Sequence, residues 1–229
     1  MKIPAAIVAQ NLLPIPPGLP DELAAMTEPL ACVLHGVARS QLQRGHEGEL
    51  RQRVVVIGDG AIGLMFVAAL QAYRVDVLLC GGNHQRLAIG HQFGATQILN
   101  HHQMTDLPAF VKDWGEGWGA DVVIEATGVP AVWEAAIACA RPGAIVNLFG
   151  GCPRDTTITV NTEQLHYGEL TLKGVFHNTP FHVRSALALL ASRQIAFENL
   201  ISDHQPLQAL EQVFQAMKQR RAIKVAIHP

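Results

Sequence analysis

The chain has 229 residues, with 17 lysines and arginines against 19 aspartates and glutamates, a formal net charge of −2. So even a balance provides no long-range field for nucleic acid or an anionic membrane surface, and 49 % apolar with 16 % charged residues excludes a disordered chain. The longest apolar run, Val54 to Ala72, is broken by Asp59, three glycines and Gln71, so it is not a membrane span. The opening Met1-Lys2-Ile3-Pro4-Ala5 starts like a signal peptide, but its apolar stretch ends at Gln10-Asn11 and no cleavage site follows. Cys32, Cys80, Cys139 and Cys152 lie far apart with no C-x-x-C pair, and the chain reads as cytoplasmic.

The first fifty residues hold Pro4, Pro14, Pro16, Pro17 and Pro20, then a predicted helix from about Asp21 to Ser40. They are too few for a core of their own and read as part of something larger. From residue 54, short β-rich runs alternate with helix-period segments. The runs are Val54–Ile57, Val75–Leu79, Ala95–Leu99, Asp121–Glu125 and Ile145–Phe149, each mostly apolar, as strands buried on both faces must be. Gly60-Ala61-Ile62-Gly63 leads into a helix through Tyr73; Pro130 opens another, which Arg141-Pro142-Gly143 stops. This alternation predicts an α/β fold with a doubly wound parallel sheet and helices on both faces. Near the end, Pro180 opens a helix with Val183, Leu187 and Leu190 on one face. Pro206 opens another carrying Leu207, Leu210, Val213, Phe214 and Met217, and a terminal strand covers Ala222–Ile227.

Gly58-Asp59-Gly60-Ala61-Ile62-Gly63 follows the first strand and opens a helix. In such a G-x-G-x-x-G loop Gly58 permits a tight turn, Gly60 lets backbone approach a pyrophosphate, and Gly63 lets helix pack on strand. The helix N-terminus then offers N–H groups to the anion. Strand, loop, helix and second strand complete one βαβ unit, which is the context a dinucleotide site requires. About 20 residues on, an acid should meet the adenosine ribose. Here the stretch is Leu79-Cys80-Gly81-Gly82-Asn83-His84-Gln85-Arg86, with no Asp or Glu. Without that carboxylate a 2′-phosphate is not repelled, and Arg86 or His84 is placed to meet it; Gly81, Asn83 and Arg86 are the expected contacts here, in an NAD(P) site read towards NADP.

At this point a family pattern is recognisable. Glu28-Pro29-Leu30-Ala31-Cys32-Val33-Leu34-His35-Gly36, the glycine loop and Asp121-Val122-Val123-Ile124-Glu125-Ala126-Thr127-Gly128 come first. Arg141-Pro142-Gly143, Glu169-Leu170-Thr171-Leu172-Lys173-Gly174 and Ala222-Ile223-Lys224-Val225 follow in order. Together they resemble the zinc-dependent medium-chain dehydrogenases of the alcohol dehydrogenase superfamily, in the branch of sorbitol and threonine dehydrogenases. The resemblance implies a Rossmann cofactor domain at 31–175. It makes 1–30 the last piece of a GroES-like catalytic domain, most of which is missing, and 176–229 a segment returning to that domain.

By the same resemblance Glu28 stands where the family ligates zinc or its water. Ala126, Thr127, Phe149 and Gly150 line the nicotinamide side, and Lys224 meets a cofactor phosphate. The implied activity is that of an NAD(P)-dependent oxidoreductase moving hydride between a secondary alcohol, polyol or amino alcohol, and the cofactor. Zinc polarises the oxygen in full-length relatives, and this chain is not expected to hold it, since catalytic zinc needs three protein ligands. The implied partners are an alcohol or carbonyl substrate and a second copy, joined through the sheet edge after Phe149; neither nucleic acid nor membrane is expected. The alternative is a non-catalytic NAD(P)-binding module or an inactive remnant. A zinc-free quinone reductase ranks last, because it leaves Glu28-Pro29-Leu30-Ala31 unexplained.

Other motifs read as structural. Gly45-His46-Glu47-Gly48 spells the family's zinc tripeptide on the wrong side of Glu28 and reads as a surface loop. His101-His102 reads as loop, with its imidazoles pointing to different sides. His177 stands at a family position near the nicotinamide, Cys32 reads as a small buried thiol, and Trp114, Trp118 and Trp133 as packing groups.

Overall fold

The structure, a computed structural model, describes residues 2–43 and 50–229; the Gly45-His46-Glu47-Gly48 tetrapeptide lies outside the described residues. In chain order the elements are α1 (Ala5–Asn11), α2 (Asp21–Ala24), α3 (Thr27–Arg39), β1 (Gln52–Ile57), α4 (Ala61–Leu70), β2 (Val75–Gly81), α5 (His84–Gln92) and β3 (Gln97–Asn100). There follow α6 (Leu107–Trp114), β4 (Ala120–Glu125), α7 (Pro130–Ala138), β5 (Ala140–Leu148), α8 (Thr162–Tyr167) and β6 (Thr171–Gly174). The last are α9 (Pro180–Ser192), β7 (Ile201–Pro206), α10 (Leu210–Lys218) and β8 (Lys224–His228). The chain divides into two units, Cys32–His177 and Met1–Ala31 with Asn178–Pro229.

The larger unit is built on one six-stranded sheet in the order β3-β2-β1-β4-β5-β6, every pairing parallel. Chain order runs outward from β1 in one direction and from β4 in the other, so the switch point, where such sheets bind ligands, lies between these two strands. β1 is held on both sides, Val54 beside Val77 of β2 and Val122 of β4, and its last four residues are buried. Alternation along the strands then supplies two cores. On one face Val55, Ile57, Leu78, Val123 and Val146 pack with Val111 of α6 and Ile137 of α7. On the other, the close approaches of Gly63 to Val56 and of Gly90 to Leu79 set α4 and α5 against the sheet. α4 is apolar all round and buried from Gly63 to Leu70, as a helix enclosed by protein must be. This is the doubly wound α/β fold that the alternation of elements predicts.

Helix starts follow side-chain chemistry. Asn83 caps α5, Asp106 caps α6 and Asn161 caps α8, while Pro130 and Pro180 sit at the first turns of α7 and α9. Several expected boundaries shift. The helix expected over Asp21–Ser40 is two, parted at Ala25-Met26. Arg141-Pro142-Gly143 does not stop α7, which ends at Ala138; it lies inside β5, beside a break in register between Ala120 and Val122. Pro206 ends β7, and a short 3₁₀ turn precedes α10. On the side of the sheet beyond Phe149, β6 pairs along β5 and is the outer strand.

The smaller unit contains α1, α2, α9, α10 and the parallel pair β7–β8. Its buried apolar residues include Leu19, Leu23, Leu30, Leu190, Phe197, Leu200 and Val213, while Phe181, Leu207 and Phe214 are exposed.

Candidate dinucleotide site

Three strand ends are knit together at the switch point. The Gly58 N–H donates to the Cys80 carbonyl at 2.8 Å, and the Ala126 N–H donates to the Ile57 carbonyl at 2.9 Å. Gly58 turns with φ +120°, a conformation L side chains rarely adopt. At Gly63 a Cβ would lie 1.8 Å from the Gly58 carbonyl oxygen, so only glycine lets α4 start this close to β1. At Gly60 a Cβ would meet nothing within 4 Å. Gly60 is also the N-cap of α4, and no side chain caps that end. The first-turn N–H groups of Ala61, Ile62 and Gly63 therefore stand at an uncapped positive helix end beside open space, which is a fit for a pyrophosphate.

Next to this cradle the structure corrects the premise of the missing acid. Asp59 Oδ2 accepts from the Gly82 N–H at 2.9 Å and from the Asn83 N–H at 2.7 Å. A Cβ on Gly81 would lie 2.4 Å from the Asp59 Cβ, so glycine there makes room for this side chain. A carboxylate does stand at the end of β2; it comes from the loop. Its negative charge, second to burial, pushes the Cys80 thiol up to about 12. Asn83 is turned to cap its own helix, its Oδ1 accepting from the Gln85 and Arg86 N–H groups at 2.9 and 3.1 Å. Arg86 lies half-buried on α5. His101 and His102 do not diverge as expected. Their ring centroids are 4.0 Å apart, and both Nε2 atoms lie within 3.0 Å of where a Gly82 Cβ would be.

The far end of the switch point is organised by Glu125, a fully buried carboxylate that the sequence reading quoted but did not single out. Its Oε1 accepts from the Thr127 N–H at 2.6 Å, from the Thr127 hydroxyl, and from the Gly128 N–H at 3.2 Å. Its carbonyl accepts from the Phe149 and Gly150 N–H groups at 3.0 and 2.9 Å. Glu125 thus fixes the turns that carry Ala126, Thr127 and Gly150. The Trp133 indole donates to the Gly150 carbonyl at 3.0 Å. The Phe149 ring stands edge-on to Phe66 with centroids 4.9 Å apart, against Gly36, so it has a packing role. His177 has φ +60°, and its carbonyl accepts from His35 Nδ1 at 2.8 Å.

In the smaller unit Glu28 Oε1 accepts from Asn178 Nδ2 at 3.3 Å. Lys224 lines a cleft of about 410 Å³ with Met26, Ile201 and Met217; burial pushes its ammonium pKa down, and the Glu28 charge opposes that. Among the described residues no three His, Cys, Asp or Glu side chains gather to hold a metal ion, so Glu28 by itself does not fit a catalytic zinc site. Among the described residues no helix is long and apolar enough to cross a membrane.

Comparison with known proteins places this geometry in a family. Residues 61–192 match the zinc-binding dehydrogenase domain. Sorbitol dehydrogenase of Halalkalibacterium halodurans is 30 % identical over 225 residues, which are 96 % of this chain and 62 % of that protein. L-threonine 3-dehydrogenase of Bacillus licheniformis is 29 % identical over 231 residues, covering 100 % of this chain and 63 % of the relative. A solved structure from Sinorhizobium meliloti 1021, described as a zinc-binding dehydrogenase bound to NADP, superposes with a TM-score of 0.83 at 28 % identity, over 94 % of this chain and 61 % of that one. The chain therefore spans less than two thirds of the length of these relatives. With residues 61–192, more than half of its length, matched by that domain, the chain belongs to the zinc-binding dehydrogenase family.

Proposed function

We propose that this chain binds a nicotinamide dinucleotide and serves as the cofactor-binding part of an oxidoreductase acting on a secondary alcohol, a polyol or amino alcohol. The observation that carries the reading is the uncapped end of α4 beside open space at Gly60, at the sheet's switch point. In this reading the N–H groups of Ala61, Ile62 and Gly63 hold the pyrophosphate. The turns at Ala126-Thr127 and Phe149-Gly150, fixed by Glu125, border the nicotinamide. A bound oxidised nicotinamide would accept the hydride released from the alcohol carbon as the hydroxyl proton leaves. Lys224 as a phosphate contact and residues 1–30 and 176–229 as parts of a GroES-like domain belong to this proposal through family likeness. So do a second copy joined along β6 and a cytoplasmic setting. Between the two dinucleotides, Arg86 and the acid-free stretch 79–86 speak for NADP; the Asp59 carboxylate at the same place speaks against it more strongly.

A second reading, a dinucleotide-binding module without catalysis of its own, is favoured by the bonding of Glu28 to Asn178. Titration of the whole chain with NADH, followed by nucleotide fluorescence, tests the shared claim. Saturable binding in the micromolar range is expected, and Gly60→Val, whose Cβ would point into open space, should weaken it at least tenfold while the chain still unfolds cooperatively. A folded chain that binds no dinucleotide overturns the proposal. Reduction of NAD(P) by sorbitol or threonine with added zinc would favour the enzyme, and binding without turnover the module.

A further inference from the structure

We infer that Asp59 is the residue that selects the dinucleotide, favouring NAD over NADP by placing at the end of β2 a carboxylate that the strand's own last residues do not supply. This rests on the proposed dinucleotide site and names the residue that decides between its two ligands.

Three observations converge on it. Asp59 leaves the glycine loop beside the pyrophosphate cradle, and its side chain crosses to the β2–α5 turn, where Oδ2 is anchored on the Gly82 and Asn83 N–H groups at 2.9 and 2.7 Å. Its Oδ1 takes no hydrogen bond from the described residues and is left as an acceptor for a ribose hydroxyl. Gly81 occupies the position where the acid is expected. A Cβ there would come within 2.4 Å of the Asp59 Cβ and 2.6 Å of its carboxyl carbon, so the two residues exclude each other sterically. Glycine at 81 and aspartate at 59 are one arrangement, and the acid-free stretch is its consequence.

The third observation concerns donors. A 2′-phosphate in this turn would seek backbone N–H groups, as anions at helix starts do. Those of Gly82 and Asn83 are taken by Asp59, and those of Gln85 and Arg86 by the Asn83 side chain. A phosphomonoester carrying between one and two negative charges near pH 7 would meet a carboxylate in place of donors. Arg86, His84 on α5 and the His101–His102 pair over Gly82 are the cationic or ionisable groups on the other side of that balance. None of them holds those donors; Asp59 does.

The test is the ratio of dissociation constants for NADH and NADPH, measured by fluorescence titration of the whole chain and of Asp59→Asn. The amide keeps an acceptor for both N–H groups and removes the charge. The wild-type chain should bind NADH at least tenfold more tightly, and Asp59→Asn should bring the ratio below about threefold, mainly by tightening NADPH. Should Asp59→Asn fail to fold, Asp59→Ser, which keeps a hydroxyl acceptor, reads the same ratio. A wild-type chain that binds NADPH as tightly as NADH, or a variant whose ratio does not move, overturns the inference while the dinucleotide site stands. A folded wild-type chain that binds neither overturns the site and this inference with it.

Discussion

Two strand–helix–strand crossings in this chain share one local topology and differ in almost everything else. In β1–α4–β2 the last four residues of β1 are buried, six of the seven residues of β2 are buried, and α4 is enclosed from Gly63 to Leu70. In β7–α10–β8 no strand residue is buried, and Val213 alone is buried in α10, with Phe214 55 % exposed. Both pairs are parallel and both are joined by a helix. What separates them is company: β1 has a strand on each side and helices on both faces, whereas β7 and β8 are a sheet of two. A two-stranded sheet has little interior, so its strands need no apolar run.

The largest effect that would break this comparison is a core truncation in each crossing. Leu78→Ala removes a fully buried side chain from β2 and should cost about 3 kcal/mol in urea unfolding. Phe214→Ala, the counterpart on α10, should cost about 0.5 kcal/mol. Equal costs would mean that the α10 face is covered, and the contrast between the crossings would fall.

The same contrast explains what was legible. β1, β2, β4 and β5 were readable because a parallel sheet's interior demands continuous Val, Ile and Leu. β7 was not, because Ile-Ser-Asp-His-Gln-Pro has no apolar period at all, and its pairing with β8 is decided by contacts distant in sequence. β6, four residues long and nowhere fully buried, has no apolar run to mark it as a strand. At the site, the glycines were legible because steric demand at Gly58 and Gly63 leaves no other residue possible. The roles of Asp59 and Glu125 were not. Asp59 acts on Gly82-Asn83, and no spacing rule links a side chain to backbone N–H groups 23 and 24 residues away; Glu125 bonds Thr127 and Gly128 close by, but a carboxylate ending an apolar run does not announce that it is buried. A charged residue inside a glycine loop, paired with glycine where the acid belongs, is the signal that was there to be found.

Glu125 offers the next sharpest test of the crowded unit. Its buried carboxylate satisfies the Thr127 and Gly128 N–H groups just past β4, whereas a side chain that ties β7 to β8, the exposed Ser202 hydroxyl, is neutral and open to solvent. Glu125→Ala should leave those donors unpaired at a cost of about 2 kcal/mol and weaken NADH binding as the Ala126–Gly128 turn loosens. Glu125→Gln, which keeps one acceptor, should cost less than half as much. If the alanine variant unfolds at the wild-type urea midpoint, the carboxylate does not organise the turn.

The smallest effect separates the units by the sign of their response to pH. In the larger unit burial pushes both Cys80 and Cys139 up to about 12 from 9.0. Above pH 9 the unfolded chain releases these thiol protons while the folded chain keeps them, so stability that is complete below pH 9 is lost as pH climbs towards 12. Between pH 8.5 and 9.5 the two thiols together should remove about 1 kcal/mol. In the smaller unit the sign reverses. Burial lowers Lys224 below 10.5, so the folded chain loses that proton first, and stability recovers as pH rises towards 10.5. Urea midpoints at pH 8.5 and 9.5 check both. Replacing Cys80 and Cys139 by alanine should flatten the downward slope whatever its effect on absolute stability, and Lys224→Met should steepen it. Identical slopes in all three chains would show that these groups are as well hydrated folded as unfolded, and that the enclosure seen around β2 does not extend to the protons it carries.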